Sequence, residues 1–182
     1  MKTRCQWAKD DLNIEYHDNE WGQPQHDDRK LFEFLILEGA QAGLTWTTIL
    51  KRRDGYRKAF SDFNPLKVSK YTPKHVEKLL ANPEIIRNRL KIISAINNAK
   101  QFLKIQEEFG SFDKYVWGFV NHIQIKNNFK KLSDLPTSTP ISEKMSKDLR
   151  GRDFTFVGPT ICYAFMQAVG MVNDHTVDCF AK

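Results

Sequence analysis

The chain has 182 residues, of which 41% are apolar, 12% aromatic and 27% charged, a globular composition that excludes a disordered tail. Its formal net charge of +6 permits attraction to phosphate without requiring it. No apolar run is long enough to span a bilayer, the N-terminal segment is too polar for a secretion signal, and the odd set Cys5, Cys162 and Cys179 suits reduced thiols or metal ligands rather than a disulfide framework.

These bounds predict a single cytoplasmic domain over residues 1–182, with room for two helical lobes. Apolar spacing is helical almost throughout and strand-like alternation is nearly absent, so the expected class is all-α. From Asp27 or Asp28 to about Gly39, the residues Leu31, Phe34, Leu35 and Glu38 share one helix face behind an aspartate N-cap. A second helix is expected from Thr45 towards Phe60. Thr72 caps a third that begins at Pro73, turns Val76, Leu79 and Leu80 inward, and stops at Asn82 and Pro83.

From Ile86 the spacing of Leu90, Ile93, Ile96 or Asn97, Ala99 and Leu103 predicts a long amphipathic helix ending near Gly110. The stretch Leu132–Ser142, with Pro136 and Pro140, reads as an ordered loop and internal boundary before a helix capped at Ser142. Leu149 to Arg152, a turn around Gly158, and an apolar helix from Ile161 to about Val169 then form a helix–turn–helix unit near 149–170. Such a turn can offer backbone N–H groups to a DNA phosphate, although a glycine between helices is more often simply a turn. Basic clusters at Lys51–Arg53, at Arg87, Arg89 and Lys91, at Lys126, Lys130 and Lys131, and at Arg150 and Arg152 would suit a phosphate-facing surface or ordinary solvated helix faces.

His175 and Cys179 lie one helical turn apart, and Cys5 and His17 could return on themselves near the other end. Together they make a Cys2His2 set that would close a zinc coordination sphere, leaving the metal a structural part. Spacing alone leaves open the alternative that these are ordinary core residues. Cys162, on the apolar helix, is read as core.

The chain resembles the bacterial 3-methyladenine DNA glycosylase I (Tag) family along essentially its whole length. The resemblance is carried by Arg4, Cys5 and Trp7, by the block from Tyr16 to Gly22, and by Leu37, Glu38 and Gly39 with Gln41–Leu44 and Trp46. It continues through Phe119–His122, Pro136–Thr139, Phe156–Gly158, Thr160–Cys162 and Val172–His175. It implies a helix-hairpin-helix DNA glycosylase fold with Gly158 in the hairpin, and one structural zinc ion on Cys5, His17, His175 and Cys179 that joins the N- and C-terminal segments.

The implied activity is base-excision repair: hydrolysis of the N-glycosidic bond of 3-methyladenine in alkylated double-stranded DNA, without strand cleavage, by a monomer that needs no membrane or obligate protein partner. The resemblance places the base pocket at Glu38, Tyr16 and Trp46, with Trp7 and Trp21 close by and Glu38 as the candidate catalytic group. Gly43, Leu44, Gly158 and Thr160 are the expected DNA contacts.

The chemistry agrees, because an extruded base must be stacked on aromatic faces and read along its polar edge, and a cationic methylated base favours a carboxylate and electron-rich rings. Core packing is the bland alternative for the aromatics, as a buried leucine is for Leu44. Asn13 departs from family members that carry an aromatic there, and neither Asp174 nor Asp178 is a convincing stand-in for the aspartate that many hairpin glycosylases place after the hairpin. Two other classes fit parts of the pattern: a zinc DNA-binding module without turnover, and a zinc hydrolase or deaminase with an open coordination position.

Overall fold

A computed structural model describes residues 2–182. Helix α1, Asp11–Asn19, has no apolar stripe to reveal it: its buried residues are Asn13, Tyr16 and His17. The Asp10 side chain accepts from Asn13 N at its start. Helix α2 runs Asp28–Gln41 behind an Asp27 cap, and every residue from Leu31 to Ala40 is buried. It is the central helix, packed against α3, Trp46–Leu50, α7, Arg89–Phe109, α8, Phe112–Trp117, and α10, Pro159–Ala168.

The single helix expected from Thr45 to Phe60 is two. α3 is capped by Thr45, and the chain turns at Lys51–Arg52 into α4, Arg53–Ala59. α5, Pro65–Val68, and α6, Pro73–Leu80, follow. Thr72 and His75 form the reciprocal cap of α6, where Val76 and Leu79 are buried but Leu80 only half so. α7 begins at Arg89 rather than Ile86, because the Asn88 side chain caps it, and stops before left-handed Gly110.

The buried face of α7 is also rotated from the expected one. It consists of Ile92, Ala95, Ile96, Ala99, Phe102 and Ile105, while Leu90 and Ile93 remain 68% and 46% exposed. α8, which the apolar spacing does not reveal, is a short helix capped by Ser111 that buries Phe112, Tyr115 and Trp117.

Two residues of parallel pairing, β1 at Ile125–Lys126 and β2 at Val172–Asn173, tie the middle of the chain to its C-terminal segment. α9, Pro140–Gly151, is capped by Thr139, not Ser142, which sits three residues in and returns the cap by accepting from Thr139 N. α9 and α10 pack on each other across the turn that holds Gly158. Among the described residues no helix is long and apolar enough to cross a membrane.

One ion cluster fixes α4 on α2. Arg53, 7% exposed, donates to Glu33 at 2.7 Å and through two nitrogens to Glu20 at 2.6 and 2.7 Å. Burial alone would raise Glu33, but Arg53 and Lys30 outweigh it and hold the carboxyl below its ordinary value, so this stabilisation is lost as pH falls through the carboxylate range. Arg53→Met leaves Glu33 with only Lys30 and Arg57. It is expected to cost about 3 kcal/mol in denaturant unfolding, the penalty for a buried charge stripped of its main partner. A loss under about 1 kcal/mol would show that Lys30 and Arg57 suffice.

Candidate functional site

A cavity of about 350 Å³ opens between α1, the C-terminal half of α2, the start of α3 and α10. Trp7, Tyr16, Trp21 and Trp46 form its aromatic walls. The Tyr16 and Trp46 ring centroids are 5.2 Å apart, and Trp7 stands edge-on to Trp21 at 5.0 Å. The Trp46 indole N–H is a buried donor without a partner among the described residues, the kind of vacancy that a ligand acceptor fills.

Glu38 projects into this cavity from the last turns of α2. It is 4% exposed and no side chain or backbone group among the described residues hydrogen-bonds to it. Burial pushes its carboxyl up to about 8 from an ordinary 4.5. The Tyr16 hydroxyl is also driven well above its usual range, by burial first and then by Glu38, so it stays protonated as a donor.

Because the folded protein keeps a proton on Glu38 that the unfolded chain has released, stability falls as pH rises from about 4.5 to about 8 and levels off above. Glu38→Gln is expected to flatten that decline in thermal melts. If both proteins lose stability equally, another group is titrating.

The four ligand candidates converge. His17 Nε2 and His175 Nδ1 are 3.2 Å apart, Cys179 Sγ lies 3.4 Å from each, and Cys5 Sγ lies 3.6 Å from His175 Nδ1. All four atoms lie within 4.8 Å of one another and all four residues are buried. A tetrahedral ion with Zn–N of about 2.0–2.1 Å and Zn–S of about 2.3 Å spaces its ligands roughly 3.3–3.8 Å apart, so the set could hold a metal ion.

The outward nitrogens are also placed. His17 Nδ1 meets Asp18 at 2.8 Å, itself gripped by Arg4, and His175 Nε2 meets the Trp21 carbonyl at 3.0 Å. Burial pushes His175 down to about 4, leaving a neutral imidazole, and pushes the Cys5 thiol up to about 11, so a thiolate there needs a cation beside it. Gly22, at φ +75°, is required at this point, since a Cβ would come within 3.1 Å of His175 Nε2.

The cluster and the pocket share walls. Tyr16 and His17 are neighbours on α1, while Trp21 stands edge-on to His175 at 4.7 Å and Trp7 edge-on to His17 at 5.3 Å. Asp174, beside the ligand His175, is buried and accepts from Tyr163, Gln167 and Asn127, so it is committed to holding the fold. Cys162 is a core residue, 2% exposed.

Gly43, at φ +77° with open space around it, and Leu44, 39% exposed, form the turn between α2 and α3, so Leu44 is not a core leucine. Gly158 lies at the N-cap of α10 with the Arg150 guanidinium beside it, and Thr160 is exposed on the first turn. The approach to this hairpin reaches α2, where a Cβ on Gly39 would sit 3.3 Å from that of Phe156.

Much of the expected basic surface is already spoken for. Arg53, Arg89 and Arg152 are paired with carboxylates, and Lys91 turns inward onto α2. Lys51, Arg87, Lys126, Lys130, Lys131 and Arg150 are exposed, with no carboxylate partner among the described residues.

Several pocket residues escaped sequence reasoning. Leu132 and Leu135 reach the cavity from the loop before α9, Ala164 and Gln167 from α10, and Gln41 and Thr47 from the ends of α2 and α3. Asn13, where some family members carry an aromatic, lines the cavity and donates both amide hydrogens, to Asp10 at 2.6 Å and Thr47 at 2.7 Å.

Comparison with known proteins meets this geometry. The family model described as methyladenine glycosylase matches residues 6–182. A DNA-3-methyladenine glycosylase of Haemophilus influenzae is 45% identical over 100% of this chain and 99% of its own, and DNA-3-methyladenine glycosylase 1 of Escherichia coli K12 is 50% identical over 97% and 95%. A crystal structure of 3-methyladenine DNA glycosylase I superposes with a TM-score of 0.96 at 49% identity, covering 98% of each chain. With a match of this extent in both sequence and structure, the chain belongs to the methyladenine glycosylase family.

Proposed function

We propose that the protein is a monofunctional DNA-3-methyladenine glycosylase, which hydrolyses the N-glycosidic bond of 3-methyladenine in alkylated duplex DNA and leaves an abasic site. The observation that carries this reading is the Glu38 carboxyl, buried and without a hydrogen-bond partner among the described residues at the end of an aromatic-walled cavity. A cationic base that stacks against Tyr16 and Trp46, with Trp7 and Trp21 behind them, supplies the missing partner for Glu38. Neutral adenine brings neither the charge match nor the cation–π component.

The methylated base leaves as a neutral molecule, so the glycosidic bond needs little acid help. As positive charge shifts to the sugar, an ionised Glu38 in a dry pocket favours the separating pair, and water adds at C1′. No lysine among the cavity-lining residues is placed to form a Schiff base, in keeping with hydrolysis alone.

Gly43 and Leu44 are read as the turn that enters the gap left by the extruded nucleotide. The Gly158 turn and Thr160, with Arg150, are read as a phosphate contact of a helix-hairpin-helix unit. Cys5, His17, His175 and Cys179 would hold one zinc ion. Four protein donors leave no open position, so the ion would brace the fold and the pocket walls rather than activate water. The chain is taken to work as one domain, as a monomer, in the cytoplasm.

The direct test is to incubate the protein with methylated duplex DNA and separate the released bases by chromatography. Failure to release 3-methyladenine rejects the reading. Trp46→Ala, which removes a stacking face, is expected to cost about 1–3 kcal/mol in base affinity, or roughly fivefold to 150-fold, by fluorescence titration with free 3-methyladenine. An unchanged affinity would move the base away from that wall.

A further inference from the structure

Helix α7 offers one polar row, Lys91, Ser94, Asn97 and Asn98, to two loops that are far apart in sequence. The Lys91 ammonium donates to the carbonyls of Ala40 at 2.7 Å and Ala42 at 2.6 Å, where α2 ends. Further along the same face, Ser94 and Asn98 donate to the Thr155 carbonyl at 3.2 and 2.9 Å, and Asn97 donates to that of Asp153 at 2.6 Å. Thr155 N closes the link by donating to Asn98 Oδ1 at 2.9 Å.

The two loops held in this way are the Gly43–Leu44 turn and the approach to the Gly158 turn. The first of them has few other holds: Leu44 N donates to Gln41 O at 2.7 Å, and the contact from Ala42 N to Gly39 O is long, at 3.4 Å. Gly43 is left-handed and exposed, with nothing around it to restrict the turn. The last carbonyls of a helix have no partners within the helix and carry the negative end of its dipole, so a cation there satisfies both needs. Lys91 has no carboxylate partner among the described residues, which leaves these carbonyls as its acceptors.

We propose that Lys91 is a positioning residue for DNA engagement: its ammonium clamps the end of α2 and sets where Gly43 and Leu44 meet the duplex, in register with the Gly158 turn on the same helix face. The inference rests on the reading of Gly43 and Leu44 as duplex-facing. Without the ammonium the Ala42 and Ala40 carbonyls turn to water, and the turn spends only part of its time in the binding arrangement. Apparent affinity for DNA falls by that fraction, while Glu38, which makes no hydrogen bond with Lys91, keeps its place in the cavity.

The test is a double-mutant cycle of Lys91→Met and Leu44→Ala, read with a duplex that carries a tetrahydrofuran abasic-site analogue and, separately, with free 3-methyladenine. Lys91→Met is expected to weaken duplex binding about tenfold and to leave free-base affinity within about twofold. In the Leu44→Ala background its further effect should shrink to under about twofold. The salt dependence of duplex binding should keep its slope, whereas a lysine on a phosphate would lower it by nearly one ion. Lys91→Gln is a second neutral replacement if the methionine variant does not fold.

An equal loss in both backgrounds, a slope reduced by about one, or a parallel loss of free-base affinity would overturn the clamp. If Leu44→Ala weakens duplex binding and Lys91→Met does not, the clamp alone fails. If Leu44→Ala binds the duplex like the wild type, the duplex-facing reading fails and takes the clamp with it.

Discussion

Glu38→Gln is expected to slow release of 3-methyladenine from alkylated DNA by two to three orders of magnitude, about 3–4 kcal/mol of transition-state stabilisation. Glutamine keeps the shape and an acceptor oxygen but loses the charge, and charge is what a cationic leaving base and a developing sugar cation require. The wild-type pH profile should carry the same signature. In the empty pocket burial holds the carboxyl near 8, so the free enzyme below that pH must shed a proton to meet the cationic base. kcat/KM should therefore rise with pH towards a plateau above about 8 and lose that limb in Glu38→Gln. Single-turnover base release across pH checks both points. A variant within about tenfold of wild type would reduce Glu38 to a shape element.

Removal of the proposed zinc is expected to have the second large effect. Zinc bound by a preformed four-ligand set contributes on the order of 10 kcal/mol to folding, comparable with the whole net stability of a domain of this size. Extended chelation, or Cys179→Ala, is expected to abolish cooperative folding at physiological temperature or to lower the melting midpoint by more than about 10 °C. Elemental analysis should return one zinc per chain before treatment. Base release should decline in step with the loss of structure followed by tryptophan fluorescence, because Trp7 and Trp21 lean on the ligand imidazoles. Immediate loss of turnover in a fully folded protein would instead assign the ion to the chemistry.

The parts of the fold legible in the sequence were those with strong local signals. The Asp27 cap and the Leu31, Phe34, Leu35 spacing located α2, and Thr72 with Pro73 located α6. α1 and α8 were invisible, one because its buried residues serve a site rather than an apolar core, the other because six residues are too few to establish a period. In α7 the apolar residues outnumber the buried positions, so the spacing admitted a face that leaves Leu90 and Ile93 in water.

The site divided in a similar way. Spacing suggested the Cys2His2 set against ordinary core packing, and the fold brings the four side chains together, although His175–Cys179 is an irregular turn rather than the expected helical one. The basic clusters misled because charge counts ignore partners. Arg53 is an internal strut between α4 and α2, and Lys91 faces the protein. Leu132 and Leu135 reach the cavity from an irregular loop, where no periodicity exists to read.

The ligand cluster also bears on how the protein is made. Cys5 and His175 meet across a separation of 170 residues, so the N-terminal half of the cluster leaves the ribosome long before its counterpart exists. Until then His17 and Trp21 lack the His175 ring they pack against, and the nascent chain carries an unfinished pocket wall. Long-range closure of this kind is slow and comes late in folding. Competence to bind a damaged base is therefore expected as one of the last events of synthesis, when the four candidate ligands first come together.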